Sequence, residues 1–152
     1  MRKIIVLSLL LCFSLSVSAQ KAELGEDGLY YLNGKEFTGV YTETDEQGLK
    51  LAERSIVNGL EDGITTLFFA DGKHREQRSF KKGMKDGTWI TWNSEGVKTA
   101  EAGYKNDKKD GFWYVWDDNG VKRYEMYYER GEKKGTWYMW DENGKMTMEK
   151  KY

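Results

Sequence analysis

Proline is absent from all 152 residues, and cysteine and histidine occur once each, as Cys12 and His74. Each shortage excludes something. A chain without proline loses no backbone N–H from a sheet ladder, which suits a protein made of strands that all need their donors. One cysteine allows no intrachain disulfide and no Cys-based metal site. With a single histidine as well, zinc chemistry and Ser/His or Cys/His catalysis lack parts. No GxxxxGK[ST] phosphate loop occurs. Aliphatic residues thin out beyond residue 20, so the apolar surface must come mainly from the 6 Trp and 10 Tyr. Neither sign of charge dominates, with 24 basic against 25 acidic residues. That balance gives no electrostatic reason to expect a nucleic-acid partner.

The N-terminus is a separate matter. Arg2 and Lys3 precede a nearly continuous apolar run from Ile4 to Val17, and Val17-Ser18-Ala19 places small residues at signal-peptidase spacing. Residues 1–19 are therefore expected to be a secretory signal peptide cut near Ala19/Gln20. The run is shorter than the ~20 residues a membrane-spanning helix requires. Cys12 lies early within it behind bulky Leu11, where a lipid-anchored cysteine would need a small residue, so it is expected to be discarded. The exported chain then has no thiol, as suits an oxidising compartment. Its 24 basic residues less Arg2 and Lys3 leave 22 against 25 acidic, a net charge of −3. The expected destination is the periplasm, the outer envelope or the medium.

What the chain has in abundance is repetition. Gly39, Gly63, Gly87, Gly111 and Gly135 recur every 24 residues, and a second glycine follows within each unit at Gly48, Gly72, Gly96, Gly120 and Gly144. The clearest unit opens Gly-Phe-Trp-Tyr-Val-Trp-Asp-Asp-Asn-Gly at Gly111. Short aromatic and β-branched runs bounded by Gly, Asp and Asn predict strand, turn, strand, turn in every unit, with positive φ at the second glycines. Residues 20–38 are expected to be a linker and capping hairpin bent at Asn33-Gly34, and 39–62, 63–86, 87–110, 111–134 and 135–152 to be five repeats. The predicted fold class is all-β: an elongated, twisted, single antiparallel meander of stacked hairpins with roughly 10–12 strands.

Columns across the repeats separate structural from functional candidates. Trp89, Trp113 and Trp137 form one column, and Trp92, Trp116 and Trp140 another. Their offset of three residues predicts opposite faces. The columns are expected to hold the thin sheet together, the alternative being a stacking surface for sugar rings or a partner's aromatic residues. A glutamate column, Glu53, Glu101, Glu125 and Glu149, tempts an acid/base reading. A catalytic pair is a unique constellation, however, and a residue repeated in nearly every unit is expected to bond its neighbours. Carboxylate-only Ca²⁺ sites lack a clustered Asp loop. His74 stands where other units carry Lys50, Lys98, Lys122 and Met146, so it is expected on the surface. No catalytic residue, metal or cofactor is assigned, and the chain is read as no enzyme.

The turns carry a charge pattern. Those within units are acidic, and those between the later units are rich in Lys81, Lys82 and Lys85, in Lys105, Lys108 and Lys109, and in Arg130, Lys133 and Lys134. Alternate turns of a meander lie on opposite sides, so one long side is expected to be acidic and the other basic. The candidate binding residues are these lysines with Trp89, Trp113 and Trp137, and an anionic lipid or polysaccharide surface is a candidate partner. The last strand, ending at Tyr152, is expected to be an uncovered edge.

With its Gly-x-Trp-x-x-Trp-x-x-x-Gly phrase, followed by Glu101 or Glu125, by Tyr104 or Tyr128 and by a Lys/Gly turn, the chain resembles the MORN-repeat-variant family from about Gly28 to Tyr152. The opening Gly28-Leu29-Tyr30-Tyr31-Leu32-Asn33-Gly34 is similar to that of bacterial members. The resemblance implies β-hairpin repeats, protein or lipid contacts and no catalytic residues. Tyr41 and Thr65 depart from it in the first Trp column. Bacterial members are often labelled antitoxins of toxin–antitoxin systems, and an exported chain of that kind would need an exported partner. Three readings follow: a non-catalytic scaffold or binding protein of the envelope, an antitoxin-like inhibitor of one protein partner, and a carbohydrate-binding module using the Trp columns.

Overall fold

Two kinds of tight turn set the architecture. Within units, an Asp or Asn side chain closes the turn over a glycine. Asp117 Oδ1 accepts the N–H groups of Asn119 and Val121, each at 3.0 Å, while Gly120 at φ +81° donates to the Asp117 carbonyl. Asp45, Asn93 and Asp141 repeat the device. The second unit has Phe69 at this position, and Asp71 Oδ1 there accepts the Lys73 N–H. Between units, Asn58-Gly59, Lys82-Gly83, Asn106-Asp107 and Arg130-Gly131 hold positive φ at both positions, the geometry whose twist matches the flanking strands.

The computed structural model describes residues 22–152; the expected signal peptide, Cys12 and the Ala19/Gln20 cut lie outside them. Among the described residues every regular element is a strand. Strands β1 (Glu23–Leu24), β2 (Tyr30–Leu32) and β3 (Lys35–Glu36) form a small antiparallel sheet, bent at Asn33-Gly34 as the sequence predicts. It is a sheet of its own, joined to the repeats where the Tyr30 N–H donates to the Gly59 carbonyl. The repeats follow as β4 (Gly39–Thr44), β5 (Lys50–Val57), β6 (Leu60–Phe68), β7 (His74–Lys81), β8 (Met84–Lys85), β9 (Gly87–Trp92), β10 (Lys98–Lys105), β11 (Lys108–Trp116), β12 (Lys122–Glu129), β13 (Glu132–Trp140) and β14 (Met146–Lys151). They make one open antiparallel meander of 11 strand segments in sequence order, of which β8 and β9, both paired to β7, follow one another as a single strand interrupted at Asp86.

The ladder slips at two recurring places. Each within-unit hairpin gains one residue on its second arm: Trp92 faces Lys98 although Thr91 faces Ala100, and the extra residue is Thr99. The other units do the same at Leu51, Arg75, Arg123 and Thr147. Each between-unit pairing slips by two residues at the unit-opening glycine: Trp113 faces Ala102, but Lys109 faces Tyr104. Gly63, Gly87, Gly111 and Gly135 stand at these bulges with φ from +65° to +109°. Beside Gly87, Gly111 and Gly135 the preceding arm presents the carbonyls of Ser79, Gly103 and Tyr127 to side-chain donors.

A single layer has little interior. Ala52, Ile56, Leu67, Ala102, Tyr128 and Trp137 are buried, and Thr65 is the buried polar residue.

Candidate functional site

Cross-strand partners share a face, so the register assigns every column. Trp89 faces Ala102, which faces Trp113, which faces Met126. Trp92 faces Lys98 and Trp116 faces Lys122. The two Trp columns are on opposite faces, as their spacing predicts.

On the Trp113 face the gaps between tryptophans are filled by the aromatic residue of the intervening strand. Phe80, Trp89, Tyr104, Trp113, Tyr128, Trp137 and Tyr152 form an unbroken series of ring contacts with centroids 4.7–5.5 Å apart. All are tilted or edge-on, the arrangements favoured by ring quadrupoles. Each Trp also donates its indole N–H to a backbone carbonyl beside the bulge: Trp89 to Ser79, Trp113 to Gly103 and Trp137 to Tyr127, at 2.9–3.1 Å. Lysines lie over the rings. Lys85 Nζ is 4.7 Å from the Trp89 ring and 5.2 Å from Tyr104. Lys109 is 4.1 Å from Trp113 and 4.7 Å from Tyr128, and Lys133 is 4.6 Å from Trp137 and 4.9 Å from Tyr152. Three lysines expected on the basic long side thus lie on a face, straddling the ring pairs.

Burial raises the hydroxyl pKa of Tyr104 above its ordinary value; it does the same for Tyr128, although the Lys133 charge pulls the other way. A raised folded-state pKa makes a stability contribution that is complete below the unfolded tyrosine pKa of about 10 and lost as pH rises through the folded value. Absorbance at 295 nm should therefore show tyrosines ionising later than free tyrosine, with urea midpoints falling above about pH 10. A midpoint flat to pH 12 would contradict this.

The Trp116 face carries the glutamates. Glu101 faces Ile90 and Tyr114, and Glu125 faces Tyr114 and Tyr138. The one-residue bulge brings the Lys three positions earlier onto the same side, giving Lys50–Glu53 and Lys98–Glu101 at 2.7 Å and Lys122–Glu125 at 2.8 Å. Three of the four glutamates of the column are therefore in ion pairs, each half-exposed and worth at most about 1 kcal/mol; Glu149, with Met146 in place of the lysine, has no ion pair among the described residues. The same lysines cover the second Trp column: Lys98 lies over Trp116 at 4.6 Å, and Lys122 over Tyr114 at 5.0 Å and Trp140 at 5.5 Å. In the second unit His74 and Gln77 replace the Lys and Glu together. His74 is exposed, as expected, and meets the Phe68 and Trp92 rings edge-on. Phe112 is 51% exposed, stacks on Tyr114 at 10° and meets Tyr127 edge-on at 5.0 Å. The sequence reading passed over this cluster because only the fourth unit has Phe112; the equivalent residues are Val40, Ile64, Thr88 and Thr136.

The first two units replace rings with charge. Arg54 donates to Glu43 at 2.8 Å and to Glu61 at 3.2 Å, and Glu61 accepts the Thr65 hydroxyl at 2.9 Å. Burial alone would lower the Arg54 pKa, but its bond to Glu43 and the nearby Tyr30 and Glu61 raise it on balance. Tyr41 here meets Tyr30 of the opening sheet at 5.1 Å.

The remaining candidate lysines lie at the between-unit turns. Lys105 pairs with Asp86 at 3.2 Å, and Lys134 with Glu132 at 3.5 Å. Lys81, Lys82 and Lys108 are exposed. No group of three or more His, Cys, Asp and Glu suited to a metal, and no pocket, occurs among the described residues.

The model of the MORN repeat variant matches residues 61–82 and 133–152. Each stretch is one hairpin of the meander, β6 with β7 and β13 with β14. Those two hairpins match the MORN repeat variant. The third and fourth units, between the matched stretches, share the same 24-residue spacing and ladder geometry. No curated protein matches the chain significantly.

Proposed function

We propose that this chain is a non-catalytic scaffold or binding protein, exported to the cell envelope or secreted, that docks a protein partner on the Trp116 face. MORN-variant repeats suggest a repeat-based binding or scaffold role. The observation that carries the protein-contact reading is Phe112. It is a large aromatic residue more than half exposed, backed by Tyr114 and Tyr127, and bordered by the paired charges of Lys122 and Glu125. An apolar centre with a polar border is the anatomy of a protein-contact surface. Arg2, Lys3, the apolar run to Val17 and the thiol-free remainder support the exported location.

Affinity capture from the periplasmic fraction tests both parts. A stoichiometric protein should be recovered with the tagged full chain and lost with Phe112→Asp, whose thermal midpoint should change by only a few degrees because the ring is exposed. Recovery unaffected by Phe112→Asp would refute the docking face, and accumulation of unprocessed chain in the cytoplasm would refute export. A single specific partner would also fit an antitoxin-like role.

A further inference from the structure

The two faces of the C-terminal half differ in charge, which the sequence conceals because both signs alternate along it. In strands β8–β14, Glu101, Glu125 and Glu149 face Trp116-side tyrosines, and Glu129 faces Glu132 on that same side. Asp110 is turned to the next loop, where it accepts the Arg130 N–H at 3.0 Å. The Trp113 face of these strands carries Lys85, Lys109, Lys133 and Lys150 and no carboxylate. None of the four pairs with an acid among the described residues. Lys85, Lys109 and Lys133 are held in place by rings rather than by counter-charges, so their ammonium charge is uncompensated.

We propose that this row is a binding track for a linear anionic polysaccharide bearing one acidic group per disaccharide. The proposal rests on the binding-protein reading but uses the opposite face. Successive lysines are two strands apart, ~10 Å, about the length of one disaccharide in an extended β-linked chain. Charge complementarity selects a polyanion, and the fold selects a thread over a plane. Adjacent strands of a sheet rotate by ~20°, so Lys85 and Lys133, four strands apart, point in directions that a flat bilayer cannot meet together and a winding polymer can. The exposed residues most suited to entering a bilayer, aliphatic Val40 and Ile64 and the Phe112 ring, are on the other face, and the large exposed side chains of the lysine face are Tyr124 and Tyr152, whose hydroxyl-bearing rings suit stacking on sugars.

Calorimetric titration of the full chain with hyaluronan, which carries one carboxylate per disaccharide, tests this. Binding should weaken steeply between low and near-molar salt, and K85Q/K109Q/K133Q should lose affinity by roughly tenfold or more. The turn variant K81Q/K82Q/K108Q should retain it. Because the lysines also cover rings, each variant is checked by its circular dichroism, and the single variant K109E serves if the triple variant unfolds. Absence of hyaluronan binding, salt-independent binding, or loss with the turn variant instead of the face variant would overturn the proposal. So would preferential binding to phosphatidylglycerol vesicles or to single-stranded DNA. Partner capture through Phe112 without hyaluronan binding would overturn this inference alone and leave the docking reading standing.

Discussion

Trp113→Ala should destabilise the protein by about 3 kcal/mol, as for large aromatic truncations at packed sites. The substitution removes ring contacts to Tyr104 at 5.2 Å and Tyr128 at 5.5 Å. It also leaves the Gly103 carbonyl without its indole donor and Lys109 without its closer ring. Because each repeat contacts mainly its neighbours, an interior break should also uncouple the units on either side. The urea transition, followed by far-ultraviolet circular dichroism, should therefore broaden as well as shift. Trp113→Phe keeps a ring in the series and loses the N–H, so it should cost about 1 kcal/mol. If Trp113→Ala costs less than Trp113→Phe, or leaves the slope unchanged, the ring series is not what couples the repeats.

Gly87→Val should cost about 3 kcal/mol through two separable causes. The first is backbone strain, since Gly87 has φ +104°. The second is contact, since a Cβ there would lie 2.9 Å from the Ser79 Cβ. Gly72 isolates the first cause: its φ is +83° and nothing lies within 4 Å of a Cβ built on it. Gly72→Val should therefore be milder. In a Ser79→Gly background the contact disappears and the strain remains, so a double-mutant cycle should show a coupling of about 1 kcal/mol between positions 79 and 87. Zero coupling would place the whole cost in the backbone.

Such positions show how far the residues themselves reach. The turn glycines announced their positive φ, because only that backbone shape explains a glycine held at one place in five hairpins. The opposite faces of Trp113 and Trp116 followed from their odd spacing, and the surface position of His74 followed from its Lys equivalents. The lysines were harder. Lys85, Lys109 and Lys133 sit in sequence among Lys81, Lys82, Lys105, Lys108 and Lys134 and looked like one basic side. Strand alternation sends the first three onto the Trp113 face and leaves the others at the turns or facing the carboxylates. The Lys–Glu pairs were not legible at all. Lys98 and Glu101 are three residues apart, which in a regular strand means opposite faces, and the extra residue at Thr99 reverses that.

The sequence by itself determined the repeat length, the hairpins, the turn chemistry and the all-β class. These are local: a glycine, an Asx side chain or a run of aromatics fixes its own neighbourhood. Only the tertiary structure decided register. Bulges are set by how two strands fit, through a backbone carbonyl finding an indole N–H or a ring finding room over a glycine, and a one-residue slip moves every later side chain to the other face. That slip pairs Lys98 with Glu101 on one face, while the two-residue slip at the unit glycines keeps Lys109 over Trp113 on the other.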